Sequence, residues 1–365
     1  MANKRQLTPR LNINEPNIVI DGGMEIWPEG TSRSVANNTL AYGSALFKTN
    51  NNTTGITLTN SQQSSVPSGT NIPFSNQISK TAAGTLAAVT AVSSQYHIEG
   101  YDVNKLLSDE FTVIFWVKAS VASNRSVSLH NTGNTHSFVQ QYNIASANTW
   151  QLVALKVPAL STCPGTINKT NGFGVQLVFG AVLGTTWQTS SLNSWIAGDF
   201  YAGVGEDTTW LTGTTHDFSI AGVMILPGDY RSLTTNTSAY RFLRSGRNFQ
   251  EEVSKTQRYV ELIGSVLESN IAFGTGWSTS TSAVAMSGLF KVVKRAAPQA
   301  TLSSISAIRY NNLSNNFVSN GATFTSSTLG YTMNITTTPT NIAAVYLPGT
   351  MDTNTNGYAI FDARF

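Results

Sequence analysis

Short runs in which apolar residues alternate or cluster constrain this chain most: Thr112 to Val117, Ser126 to Leu129, Gln151 to Val157, Gly174 to Phe179 and Ser219 to Leu226, each set off by Gly, Asn, Ser or Pro. A period of two puts successive side chains on opposite faces of a strand, so each run reads as a strand with a buried face. Strands repeated in this way predict an antiparallel sandwich or barrel rather than a parallel sheet layered with helices. The stretch from Thr49 to Thr70 is rich in Asn, Thr and Ser. It is predicted to be a long surface loop or hairpin, outside the core.

One segment departs from this period. Between Arg247 and Val266, Phe249, Val253, Val260 and Ile263 recur near helical spacing, with Glu251, Glu252, Lys255 and Glu261 on the other faces and Gly264 as a stop. The stripe has two readings: a helix packed across a junction between β domains, or a short trimer seam in which those four apolar residues are oligomer contacts. Downstream, Leu289 to Val293, Ala300 to Ala307, Thr323 to Thr325, Tyr331 to Ile335, Ala343 to Leu347 and Tyr358 to Phe361 predict a second strand-rich block.

Composition narrows the function classes. A chain of 365 residues is long enough for two domains with separate cores. Only 11% of its residues are charged, against roughly 25% in an average soluble domain. The surface therefore depends on neutral hydroxyl and amide groups. A net charge of +3, scattered apart from Lys4, Arg5 and Arg10, gives no clustered footprint for nucleic acid. Cys163 is the only cysteine, so no intramolecular disulfide can form. The opening MANKRQLTPR lacks the apolar core of a signal peptide, and the longest apolar-rich piece, Phe173 to Leu183, is interrupted by Gly174, Gln176 and Gly180. Neither a secretory leader nor membrane insertion is predicted.

Five motifs occur in a telling order. Asn17 to Ser32 reads NIVIDGGMEIWPEGTS, with Ile26-Trp27 and Gly30-Thr31-Ser32 in sequence. Then come FTVIFWVKAS from Phe111 to Ser120, FSIAGVMILPG from Phe218 to Gly228, Thr256-Gln257-Arg258-Tyr259, and an ending from Gly357-Tyr358 through Asp362-Ala363. Together they resemble bacteriophage tail and tail-fibre proteins that carry a carbohydrate-binding-type jelly-roll, with Thr256 where that family usually has Cys. The basic-Ala-Pro step at Lys294 to Pro298 is similar to one in the C-terminal modules of such fibres. The resemblance implies an all-β protein. It would comprise an N-terminal virion-attachment arm at 1–16, an antiparallel jelly-roll sandwich at 17–230, a linker and connector helix at 231–266, and a smaller C-terminal β domain at 267–365. It further implies a virion surface protein assembled in the host cytoplasm as a homotrimer. Its partners would be other virion proteins, met through the arm, and a host surface polysaccharide. No cofactor is required. Jelly-rolls of this type often hold a structural calcium between first and last strands, which suggests Asp21, Glu25 and Asp217 as metal ligands; the alternative is that they are solvated turn carboxylates. Such modules often carry an acidic pair in the last strand where this chain reads Ala221-Gly222.

The chemistry-bearing residues favour binding over catalysis. Glycoside hydrolysis needs two carboxyl groups about 5 to 9.5 Å apart. The loop acids Glu99, Asp102, Asp109, Glu110, Asp199, Glu206, Asp207 and Asp217 are read as solvated turn residues. His97, His130, His136 and His216 lack the spacing of a zinc site, and nothing near Cys163 forms a nucleophile–base motif. The chain is therefore predicted not to be an enzyme. Glycan binding needs flat aromatic faces with hydroxyl and amide neighbours on loops held by a rigid sheet. Trp187, Trp210 and Trp277, together with Tyr101 and Tyr201, are the candidate glycan-binding residues, with burial the alternative for each loop Trp; Trp116 is assigned to the core, and Trp27, Trp150 and Trp195 to bracing the fold. Three functions follow: a receptor-binding fibre that does not cleave its glycan, a structural component such as a head fibre, collar or decoration protein, and a glycan depolymerase. The first is favoured.

Overall fold

A computed structural model describes residues 17–206, 208–264, 272–280, 282–302, 308–311, 316–337, 348–353 and 358–365. The predicted arm at 1–16 and the predicted strand Ala343 to Leu347 lie outside the described residues. The chain divides into two compact units, the first running to Glu252 and including Phe365, the second running from Val253 to Arg364.

The first unit is an antiparallel jelly-roll sandwich. Strands β1 (Ser32–Val35), β4 (Leu58–Gln63), β5 (Ser75–Lys80), β7 (Phe111–Ala119), β10 (Gln151–Val157) and β15 (His216–Pro227) form one six-stranded sheet in the order β1-β4-β5-β15-β7-β10. Strands β2 (Thr39–Tyr42), β3 (Phe47–Asn52), β6 (Ala91–Glu99), β8 (Ser123–Asn131), β9 (His136–Ile144), β11 (Phe173–Leu183) and β13 (Trp195–Ala197) form a seven-stranded sheet in the order β13-β9-β8-β11-β6-β3-β2. Two-residue strands β12 (Gln188–Thr189) and β14 (Ala202–Gly203) make a small parallel pair. All five alternating runs of the sequence lie in strands of these two sheets. The core sits between them, where the Phe115 ring meets those of Phe179 and Tyr142 at 4.9 and 5.5 Å.

The opening segment closes this core without forming a strand. Asn17 places its carboxamide where a peptide group would pair: Nδ2 donates to Val223 O at 2.9 Å and Oδ1 accepts from Ile225 N at 2.9 Å. Beside it, β15 carries a bulge between Ala221 and Met224. Gly222 within the bulge has φ +57°, and a Cβ there would lie 2.4 Å from Tyr240 Oη. The Ala221-Gly222 step is thus small because Tyr240 packs against it and donates its hydroxyl to Gly222 O at 3.1 Å.

Two sequence expectations fail in this unit. Thr49 to Thr70 is not one loop: it contains the end of β3 and all of β4, with Thr49, Asn51, Asn60 and Ser61 buried. Their polarity is absorbed internally, since Asn51 Nδ2 donates to Val35 O and Ile56 O at 2.8 Å and Asn60 donates to Thr49. Nor do residues 231–252 act as a linker. Tyr230, Leu233, Tyr240 and Phe242 pack on Ile114, Leu152, Met224 and Leu226, which cover part of the outer face of the six-stranded sheet.

The predicted helix is also shorter than expected, running only from Phe249 to Gln257. Thr256 O then accepts from Tyr259 N, and β16 (Val260–Gly264) begins. Val260 and Ile263 are therefore strand residues, while Phe249 is 50% exposed and Val253 half-buried on the helix. The four do not form one helical stripe, which removes the predicted trimer seam. The misreading arose because β-branched residues three and seven apart satisfy a helical spacing while equally favouring a strand.

In the second unit, β16, β24 (Tyr358–Asp362) and β19 (Gln299–Leu302) form a three-stranded sheet in the order β16-β24-β19. A closed barrel follows the order β17 (Ala272–Ser280), β18 (Ala283–Leu289), β22 (Gly330–Thr337), β21 (Asn316–Ser326), β20 (Ile308–Asn311) and β23 (Pro348–Thr353). Val284, Met286, Phe290, Tyr331, Met333 and Phe361 form its core. Lys294 of the basic-Ala-Pro step is fully buried and pairs with Glu261 at 2.6 Å.

Candidate functional site

Strand register aligns a polar row on the outward positions of the six-stranded sheet, in which Ser32 is exposed, Gln77 and Lys118 are half-buried, and Ser61 and Ser219 are buried. Ser32 pairs with Ser61, Ser61 with Gln77, Gln77 with Ser219 and Ser219 with Lys118. With strands about 4.8 Å apart, this row extends about 19 Å across five strands. Gln77 Nε2 donates to Asp217 Oδ2 at 3.3 Å and to Ser219 Oγ at 3.4 Å. A neighbouring row carries Gln63, Ser75, Ala221, Trp116 and Leu152. Hydroxyls and amides thus lead across the sheet to an aromatic end.

That end is a groove of about 440 Å³, lined by Trp116, Ala145, Ser146, Thr149, Trp150, Gln151, Leu152, Thr234 and Thr237. Trp116 shares a strand face with Thr112, Ile114 and Lys118, opposite the core-facing Phe115 and Val117, and its ring meets Tyr240 edge-on at 5.7 Å. Trp150 precedes β10, and Lys118 Nζ lies 5.2 Å from its ring centroid. The Trp150 Nε1 atom has no hydrogen-bond partner among the described residues. Gln151 fixes the local turn, accepting from Ala145 N at 3.1 Å and donating to Asn143 O at 2.7 Å. Both indoles are half-buried, so each is held by the fold with part of its surface free.

The seven-stranded sheet has a different outer face, because residues 184–206 lie across it. Trp187 and Tyr201 pack on a small core of Ala91, Leu183 and Ala202, with their rings 5.1 Å apart. Trp187 Nε1 donates to Val89 O at 2.9 Å. Buried Glu206 accepts from Ser126 N at 3.2 Å and Ser126 Oγ at 2.7 Å. Under Tyr201, whose ring is 4.5 Å from that of His130, a relay links Asp199 Oδ1 to His130 Nδ1 at 2.9 Å and His130 Nε2 to Ser128 Oγ at 2.8 Å. Ser128 and His130 are fully buried, so this serine is not exposed to solvent. Burial pushes the His130 pKa down, against the opposing pull of Asp199.

These two faces sort the predicted aromatics. Trp210 is fully buried: its one-turn helix Thr209–Thr212 aims the indole inward, where Nε1 donates to Asp217 O at 2.9 Å. It is a core residue, contrary to the sequence expectation. Trp187 and Tyr201 belong to the covering segment, with Tyr201 also donating to Asp199 Oδ2 at 3.1 Å. Tyr101 is 55% exposed in the first unit and is not part of the groove lining, and Trp277 is 45% exposed on a barrel strand of the second unit. Trp116 and Trp150, read from sequence as core and brace, are the aromatic residues that line it.

The three predicted calcium ligands do not converge. Asp21 is buried, with Oδ1 accepting from Glu25 N at 2.7 Å and Ile26 N at 3.1 Å. Burial holds its pKa well above the usual carboxylate range, Glu252 pushes it the same way, and those amides oppose the shift. Both Glu25 oxygens are engaged by Arg244, at 2.7 and 2.8 Å. Asp217 lies six residues along β15 from Val223, where the Asn17 segment docks, a separation of about 20 Å. Among the described residues, no group of three or more His, Cys, Asp or Glu is placed to hold a metal. Asp207 lies outside the described residues.

No family model matches the chain, and no curated protein matches its sequence. Among solved structures, it is similar to a putative sugar binding protein from Bacteroides thetaiotaomicron, at 11% identity over 58% of this chain and 100% of that one, with a TM-score of 0.32. It is also similar to a family 11 carbohydrate-binding module of a Clostridium thermocellum cellulosomal cellulase, at 12% identity over 55% and 91% of the two chains, with a TM-score of 0.27. A CBM4 structure matches at 14% identity over 48% of this chain and 77% of that chain, with a TM-score of 0.25. The fold class is set by the strand pairing described above.

Proposed function

We propose that this protein binds a polysaccharide without cleaving it, through the groove at Trp116 and Trp150. The observation that carries this reading is a strand pair presenting two half-free indoles in one groove with the side chains of Ser146, Thr149, Gln151, Thr234 and Thr237. Sugars offer both CH faces and hydroxyls, and such a surface addresses both. No Asp or Glu lines the groove, so the carboxyl pair needed for glycoside hydrolysis is not part of it.

The ordered motifs extend the proposal to a bacteriophage virion, where the protein would act as a tail-fibre or receptor-binding component anchored through residues 1–16. Repetition of the groove in a homotrimer would raise weak single-site affinity by roughly 10² to 10⁴. Screening the full chain against an array of bacterial surface glycans tests the core of this reading. Wild type is expected to retain a defined set of glycans, and Trp150→Ala to lose that set by about 100-fold in affinity, as for an aromatic hot spot, with its melting temperature nearly unchanged. Retention by Trp150→Ala, or release of reducing sugar by wild type, would overturn it.

A further inference from the structure

We infer that the glycan taken by this groove is acidic, bearing a carboxylate or phosphate, and that Lys118 selects it; the inference rests on the glycan-binding reading above. Lys118 Nζ donates to Ser65 Oγ at 3.0 Å and lies over the Trp150 ring, and among the described residues no carboxylate stands within ion-pairing distance of it. Several other cations of the same unit are ion-paired, among them Lys156 with Glu110 at 2.9 Å, Arg231 with Asp229 at 2.6 Å and Arg244 with Glu25 at 2.7 Å, while Lys80 and Arg241 bond backbone carbonyls outside the groove lining. In a chain with so few charges, an unmatched ammonium at the rim of an aromatic groove is a selective feature.

The rest of the lining has the same polarity. Ser146 and Thr237 supply hydroxyls able to donate, whereas those of Thr149 and Thr234 donate to Ala147 O at 3.2 Å and Arg231 O at 2.9 Å. An ionised carboxylate or phosphate accepts hydrogen bonds only, and accepts most strongly from a cation. Asp217 is the carboxylate nearest in register on this face, two residues along β15 from Ser219, the partner of Lys118. It is held by Gln77 and would repel an anion placed farther along the row. The acidic group of the ligand therefore belongs at the groove end, with the sugar ring against the indoles.

The test is titration calorimetry of the full chain with three probes: tetragalacturonate, its carboxyl-reduced neutral counterpart, and a glycerol phosphate oligomer. Wild type is expected to bind at least one acidic probe about tenfold more tightly than the neutral one, the scale of one charged hydrogen bond. The preference should shrink in high salt. Lys118→Arg should keep it, and Lys118→Gln should reduce acidic binding to the neutral level while both variants unfold at the wild-type temperature. The two acidic arms separate a carboxylate source from a phosphate source. Equal binding of all three probes by wild type, lost in Trp150→Ala, would overturn the acidic preference and leave the glycan reading intact. No binding of any probe would overturn both.

Discussion

The two outer faces of the sandwich begin from similar material and end differently. Each offers Ser and Gln side chains in register with aromatics nearby, on the seven-stranded side Ser128, Gln95 and Gln176 with Tyr201 and Trp187, on the six-stranded side Ser61, Gln77 and Ser219 with Trp116 and Trp150. On the first, residues 184–206 take up the hydrogen bonds of Ser126 and Ser137, while Gln95 and Gln176 bond each other. On the second, residues 230–243 cover only the apolar part and stop at Thr234 and Thr237, which become groove wall. An aromatic side chain in a polar neighbourhood is thus not enough to define a binding surface. What decides is whether the chain itself has already taken the place of a ligand.

The sharpest way to break this contrast is to remove tryptophans whose sequence surroundings look alike. Trp210→Ala should cost about 3 to 5 kcal/mol in chemical denaturation, the range for a fully buried aromatic, with glycan affinity per folded molecule unchanged. Trp187→Ala should cost less, about 1 to 3 kcal/mol, and leave glycan affinity within twofold. A large loss of affinity in either variant would put the binding surface on the covered side instead.

The covering segment should also respond to acid where the open face does not. An unfolded His titrates near 6.5, whereas burial lowers the pKa of folded His130. Below about pH 6.5 the unfolded chain binds the proton more readily, so the stability tied to neutral His130 is present above that pH and is lost as pH falls toward the folded value. Amide protection factors across residues 184–206, which normalise for the slower intrinsic exchange in acid, should therefore fall on acidification, and the dependence should disappear in His130→Gln. Equal pH response in β7 and β10 would remove the distinction.

The sandwich was legible in the sequence because alternation and its Gly, Asn and Pro punctuation are local signals that tertiary structure reinforced. The site was legible only in part. Trp116 was read as core because its strand is apolar, although Lys118, two residues on, shares its face and announces solvent. Trp210 misled in the opposite sense: Thr and Gly neighbours suggested an open loop, while one helical turn buries the indole, a tertiary outcome without a local signature. Helix and strand could not be separated at Val260 and Ile263, since pairing with β24 is fixed by residues nearly 100 positions away.

The bulge at Gly222 sets where polar side chains give way to apolar ones along the outward positions of β15. Before it, the outward positions of β15 are Asp217, Ser219 and Ala221; after it, they are Met224 and Leu226. One added residue changes the parity of the strand, so odd-numbered side chains face out on one stretch and even-numbered ones on the next. A single strand thereby gives one face a polar stretch at Asp217 and Ser219 and an apolar stretch at Met224 and Leu226, with buried Ala221 between them beside Trp116.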